Sequence, residues 1–105
     1  MNTKVRNYLI EIAKQKKTIT YSELSKACQL GLKMDSEADR QRIGAILDEI
    51  STNEHNEGRP LLSAVVVKQA SGEPGEGFYK LAESLKGYPS FWKDELKKVH
   101  DYWKR

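Results

Sequence analysis

The sequence predicts an α+β domain of winged-helix-like layout, with three helices, a β-hairpin wing and an extra C-terminal helix. Three observations carry that expectation. The stretch Gly58 to Tyr79, GRPLLSAVVVKQASGEPGEGFY, holds the longest apolar run, Leu61 to Val67, followed by a loop rich in Gly and Pro. A β-branched run, such a turn and a second aromatic-led segment read as a hairpin. The chain before and after it carries helical spacing. Its 105 residues suit one domain with one modest core, so residues 1–105 are expected to form a single unit, with 88–105 as the added helix.

Each element follows from its residues. Val5, Tyr8, Leu9, Ile12 and Ala13 mark one face of a helix from Thr3 to Lys16, and Lys14, Lys16 and Lys17 suit its C-terminal dipole. Thr18 to Tyr21 is β-branched and aromatic and reads as a short extended lead-in. Thr20 or Ser22 then caps a second helix, with Glu23 in its first turn and Gly31 expected to end it. A third helix starts near Asp35 or Ser36, continues through Ile43, Ile46, Leu47 and Ile50, and meets stop signals at Asn53, Asn56 and Gly58. Leu61 to Lys68 is expected as a strand. Pro74-Gly75 suits a type II turn, and Phe78 to Leu81 is expected to pair back. Tyr88-Pro89 breaks the chain. Ser90 is expected to cap a last helix whose apolar face is Trp92, Leu96, Val99 and Trp103, ready to pack on the core or on a second copy of the chain.

Composition removes several classes of function. No stretch reaches the roughly 18 apolar residues of a membrane span, so no membrane partner is expected. The N-terminus lacks the apolar segment of a signal peptide. One cysteine, Cys28, and two histidines leave no disulfide and no structural zinc set, so neither a metal nor a cofactor is expected. A reducing cytoplasm is the expected setting. The net charge is +3, distributed unevenly: +4 over residues 1–17, −4 over 18–57, +1 over 58–87 and +2 over 88–105. Basic ends flank an acidic middle.

Ile19-Thr20-Tyr21-Ser22-Glu23-Leu24-Ser25 resembles the ITYGELA-type segment in the C-terminal domain of alkylguanine-DNA alkyltransferases and of alkyltransferase-like proteins. Arg42-Ile43-Gly44-Ala45-Ile46-Leu47 is similar to their RAVGxAL-type recognition helix. Val65-Val66-Val67, a Gly-rich turn and Gly77-Phe78-Tyr79 look like their PCHRVV strand and the glycine-aromatic segment after it. The resemblance covers roughly residues 18 to 80 and implies a winged-helix DNA binder. It does not imply alkyl transfer. Where those enzymes carry cysteine, histidine and arginine, this chain has Leu61-Leu62-Ser63-Ala64, with Ser63 at or next to the reactive position. The tryptophan of the alkyltransferase-like proteins is also missing. Their wedge arginine falls at about Gln41, flanked by Arg40 and Arg42, each roughly 100° away around the helix. Glu54 to Pro60 reads as an insertion. The chain also resembles short bacterial proteins sharing a GRPLLSxVVV…PGxGF pattern, which implies a fold and not an activity.

The candidate nucleic-acid contacts are Tyr21 and Ser22 for phosphates, Arg40, Gln41 and Arg42 for the groove, Lys68 at the wing base, and Arg59. The last is expected either to clamp an anion or to tie its own loop down. Asp35, Glu37, Asp39, Glu73 and Glu76 lie on the expected docking face and oppose phosphate binding. A serine hydrolase built on Ser63 with His55 and Glu54 or Glu57 would need a base in reach, and the strand carries no Gly-x-Ser-x-Gly elbow. Gly72 to Gly77 lacks the Lys-Ser/Thr of a phosphate loop. Trp92, Tyr102 and Trp103 can stack on bases, but their helical spacing points to packing. Cys28 reads as a small core residue. The expected function is therefore a non-catalytic binding module with DNA as partner. The rival is a protein-interaction or adaptor domain that uses an acidic face.

Overall fold

A computed structural model describes residues 1–87 and 91–104. The elements are helix α1 (Thr3–Lys14), strand β1 (Ile19–Thr20), helices α2 (Tyr21–Ala27) and α3 (Glu37–Asn56), a 3-10 turn (Leu62–Val65), strand β2 (Val66–Val67), and helices α4 (Glu76–Lys86) and α5 (Trp92–Trp103). The fold is mostly helical, with one small sheet. β1 and β2 run parallel, with Ile19 opposite Val66 and Thr20 opposite Val67. No helix among the described residues is long and apolar enough to cross a membrane.

The helix caps follow local chemistry. Asn2 accepts the amide of Val5 to start α1. Thr20 accepts the amide of Glu23 while the Glu23 carboxylate accepts the amide of Thr20, a complete capping box for α2. Ser36 caps α3 through the amide of Asp39. The end of α2 differs from expectation. Gln29, not Gly31, is the left-handed residue that closes it, and the amide of Leu30 reaches back to the carbonyl of Ser25 at 2.8 Å. The expected Tyr88-Pro89 break and Ser90 cap lie outside the described residues.

The hairpin is the main correction. The segment Leu61–Val67 is buried throughout, and most of it winds into the 3-10 turn before two residues of β2. A continuous apolar run does not distinguish a buried strand from a buried turn, because both faces are covered either way. Phe78–Leu81, expected to pair back, lies inside α4. Phe78, Ala82 and Leu85 recur at helical spacing, with Glu76 in the first turn, Lys86 in the last and Gly87 left-handed at the C-cap. No antiparallel wing exists among the described residues; a loop from Lys68 to Gly75 stands in its place.

The core gathers Val5, Leu9 and Ala13 of α1, Leu24 of α2, Ile43, Leu47 and Ile50 of α3, Leu61–Val66, Phe78 and Ala82 of α4, and Val99 of α5. The 3-10 turn sits at its centre, packed by α1, α3 and α5. Trp92, Leu96 and Trp103 of α5 also pack on this core, so the apolar face of the last helix is used within the chain. Trp92 Nε1 donates to the Ala64 carbonyl at 2.8 Å.

Two buried carboxylates hold the segment that leads into the core turn. Glu54, fully buried on α3, accepts from Arg6 Nε at 2.8 Å and from Arg59 Nε at 2.7 Å. Glu95, buried on α5, accepts the Leu61 amide at 2.7 Å and pairs with Lys86. Each carboxylate is charge-matched, as a buried charge must be.

Candidate functional site

The β1–α2 junction, one face of α3, the Lys68–Gly75 loop and the start of α4 enclose a cleft of about 470 Å³. That lies in the size range of small-ligand sites. Arg40, Ile43, Gly44, Leu47 and Asp48 recur at three- and four-residue spacing, so one face of α3 forms a wall. Tyr21 and Phe78 add aromatic surface, Met34 adds a thioether, and Ser63 opens onto the cleft from the core turn. An added Cβ at Gly44 would meet nothing within 4 Å, so the wall is open at that residue.

Tyr21 is the most constrained polar group. Its hydroxyl accepts the Gly75 amide at 2.9 Å, which ties the loop to α2. Burial pushes its phenol up; the Gly75 amide opposes that, and the nearby Asp48 charge adds to it. The phenol therefore stays protonated at neutral pH. Its oxygen is occupied by Gly75, and its own proton has no acceptor among the described residues. Asp48 is exposed, and partial burial raises its carboxyl above its ordinary value. No ion pair holds it among the described residues.

Four of the expected nucleic-acid contacts converge on this cleft: Tyr21, Ser22, Arg40 and Lys68. Arg40 spends one guanidinium N–H on the Met34 carbonyl at 2.8 Å, fixing the loop before α3. Gln41 and Arg42 do not line the cleft. Arg42 is 71% exposed and pairs with Asp39 at 3.7 Å. Arg59 is tied to Glu54 on another face. The rotation expected to bring the Gln41 neighbours into play favours Arg40 alone, because it shares a face with Gly44 and Asp48.

The carboxylates expected to repel phosphate are partly spoken for. Asp39 accepts the Lys33 amide at 3.0 Å besides meeting Arg42. Glu73 accepts from the Tyr79 hydroxyl at 3.5 Å. Asp35 and Glu37 remain exposed.

The residues considered for a hydrolase are not brought together. Ser63 Oγ lies 2.6 Å from Ser51 Oγ, which also accepts the Ser63 amide at 3.0 Å. No histidine or carboxylate bonds Ser63 among the described residues. His55 lines a separate, shallow depression with Arg59, Lys86 and Glu95, and Glu54 is enclosed by Arg6 and Arg59. Cys28 is buried, and burial raises its thiol. No group of metal-ligating residues occurs among the described residues.

Sequence reasoning missed Asp48, Gly44 and Phe78 as cleft residues. The available signal was the repeat from Arg40 through Gly44 to Asp48 on one helix, with a glycine where helix propensity disfavours it. Comparisons with protein-family models, with curated proteins and with solved structures found no match.

Proposed function

We propose that the protein is a non-catalytic nucleic-acid-binding module whose cleft receives a base turned out of its strand. The observation that carries this reading is the make-up of the cleft. Aromatic and aliphatic walls from Tyr21, Phe78, Ile43 and Leu47 suit a flat ring, and the unused Tyr21 proton offers it a donor. Arg40 and Lys68 line the same cleft and suit the phosphates on either side of such a base. Unpairing costs least in single-stranded or damaged nucleic acid, so those substrates are expected to bind best. The pair α2 and α3 supports helix-led docking, with the Lys68–Gly75 loop contributing to the same cleft.

A protein partner is the second reading, favoured by exposed Asp35 and Glu37 beside the cleft. Salt separates the two. Binding to a labelled single strand should weaken with salt at a slope of about −0.7 per neutralised phosphate. Arg40→Ala and Lys68→Ala should each reduce the magnitude of that slope by about 0.7. Absence of binding to single-stranded or duplex DNA at low salt would overturn the nucleic-acid reading.

A further inference from the structure

We propose that one face of α5 and the turn after α1 form a phosphate track for the strand that flanks the base in the cleft. The inference rests on the reading of the cleft as a base-receiving site and adds where the rest of the strand lies. Lys93, Lys97 and His100 recur at four- and three-residue steps, so they share one face of α5. His100 Nε2 lies 3.0 Å from the Lys17 carbonyl, which seats this face against the turn that carries Lys16 and Lys17. All four lysines are exposed, and none has a carboxylate within ion-pair distance among the described residues.

Helix stability does not account for this placement. A cation suits a helix C-terminus, but Lys93 and Lys97 lie in the first half of α5. They are also four residues apart, where like charges repel. The carboxylates of α5 lie on other sides of the helix. Asp101 lines the depression beside Arg59 together with Glu95 and Lys98, and Asp94, seven residues before Asp101, shares its side. Glu11 of α1 is bonded to Lys14. The four lysines thus form a face of one sign, and that face begins close to the cleft. Thr20 lines the cleft and is three residues from Lys17, so their Cα atoms are at most about 11 Å apart. A strand with one base in the cleft meets this row of cations within a short reach. A row of separated cations beside a base-receiving cleft matches the repeating charge of a single strand.

The test uses the full chain, a labelled trinucleotide and a labelled single-stranded dodecanucleotide, with anisotropy read over a salt series. The trinucleotide reaches the cleft alone, and the dodecanucleotide reaches the lysines as well. The variant combines Lys16→Gln, Lys17→Gln, Lys93→Gln and Lys97→Gln, all at exposed positions, and is checked for folding by its amide spectrum. The dodecanucleotide should bind the parent with a salt slope steeper than that of the trinucleotide by about 2.8, at about 0.7 for each of four neutralised phosphates. The variant should lose that difference and keep trinucleotide binding within about twofold of the parent, a change no larger than a surface substitution produces. Equal slopes for the two strands, or a dodecanucleotide slope unchanged in the variant, would overturn the track. If Arg40→Ala still weakened the trinucleotide, the cleft reading would stand without it. Dodecanucleotide binding that depends on the four lysines and ignores Arg40→Ala, with no trinucleotide bound, would uphold the basic face and remove the cleft reading. Failure of both strands to bind, with phosphatidylserine vesicles bound through the same lysines, would overturn both.

Discussion

Replacing Gly44 by leucine should separate stability from binding. Gly44 lies in the interior of α3, where glycine is less favourable than leucine by about 0.8 kcal/mol through helix propensity. An added Cβ meets nothing within 4 Å, so the larger side chain enters open space and not a packed wall. Covering even one methylene equivalent of apolar wall adds about 0.8 kcal/mol in the same direction. The sum, about 1.6 kcal/mol, corresponds to a rise in Tm of about 6 °C for a domain of this length. The same four carbons occupy the space in which a flat ring would lie against the α3 wall. Affinity for a single-stranded oligonucleotide should therefore fall at least about fivefold, since a lost base–aromatic stack is worth about 1–3 kcal/mol. Thermal unfolding followed by circular dichroism reads the first effect, and fluorescence anisotropy at low salt reads the second. A variant that is more stable and binds as tightly as the parent would refute entry of the ligand into the cleft. A destabilised variant would refute the open geometry at Gly44.

The remaining predictions concern the polar groups around the core. Glu54→Gln leaves Arg6 and Arg59 facing a neutral amide and should cost about 3–5 kcal/mol in urea unfolding; a loss below about 0.5 kcal/mol would show the clamp to be idle. Burial alone would raise the Glu54 carboxyl, but bonds from Arg6 and then Arg59 outweigh it and hold it below its ordinary value. Its contribution is therefore full above the ordinary carboxylate range and is lost as pH falls through the lower folded value. The stability gap between parent and Glu54→Gln should narrow through that acid window; a gap that widens there would contradict the assignment. Arg59→Ala should lower stability while leaving the salt slope of single-strand binding unchanged, because Arg59 is committed to Glu54; a slope reduced by about 0.7 would make it a phosphate contact. Ser63→Ala removes one partner of a buried hydroxyl pair and should cost about 1 kcal/mol in the same unfolding assay; no measurable change would show that the pair is not stabilising.

Much of the helical frame was legible because its signals are local. The spacing of Val5, Leu9 and Ala13, the Thr20–Glu23 box and the Ser36 cap each need only a few neighbouring residues. The hairpin was not, because Leu61–Val67 is apolar on every side and gives no period from which to choose. The helical repeat of Phe78, Ala82 and Leu85 was present, but the aromatic-led start beside a Gly/Pro turn also fits a returning strand. At the cleft, Tyr21, Ser22, Arg40 and Lys68 were chosen as phosphate or groove contacts and converge on one cavity. Arg59 illustrates the limit: its guanidinium bonds a carboxylate of its own chain, that of Glu54, and not the local carbonyls, and Glu54 also holds Arg6, which is distant in sequence. Asp48 was overlooked because a charge on a helix ordinarily reads as solvated.

Amide chemical-shift mapping with a single-stranded oligonucleotide tests the cleft most directly. The backbone amides of Gly44, Gly75 and Gly77 line or border the cavity, whereas Gly58 and Gly87 lie outside its lining. Saturable shifts at Gly44, Gly75 and Gly77, with little change at Gly58 and Gly87, are the expected result. Shifts confined to α1 and α5, or none at all on addition of nucleic acid, would contradict a base-receiving cleft.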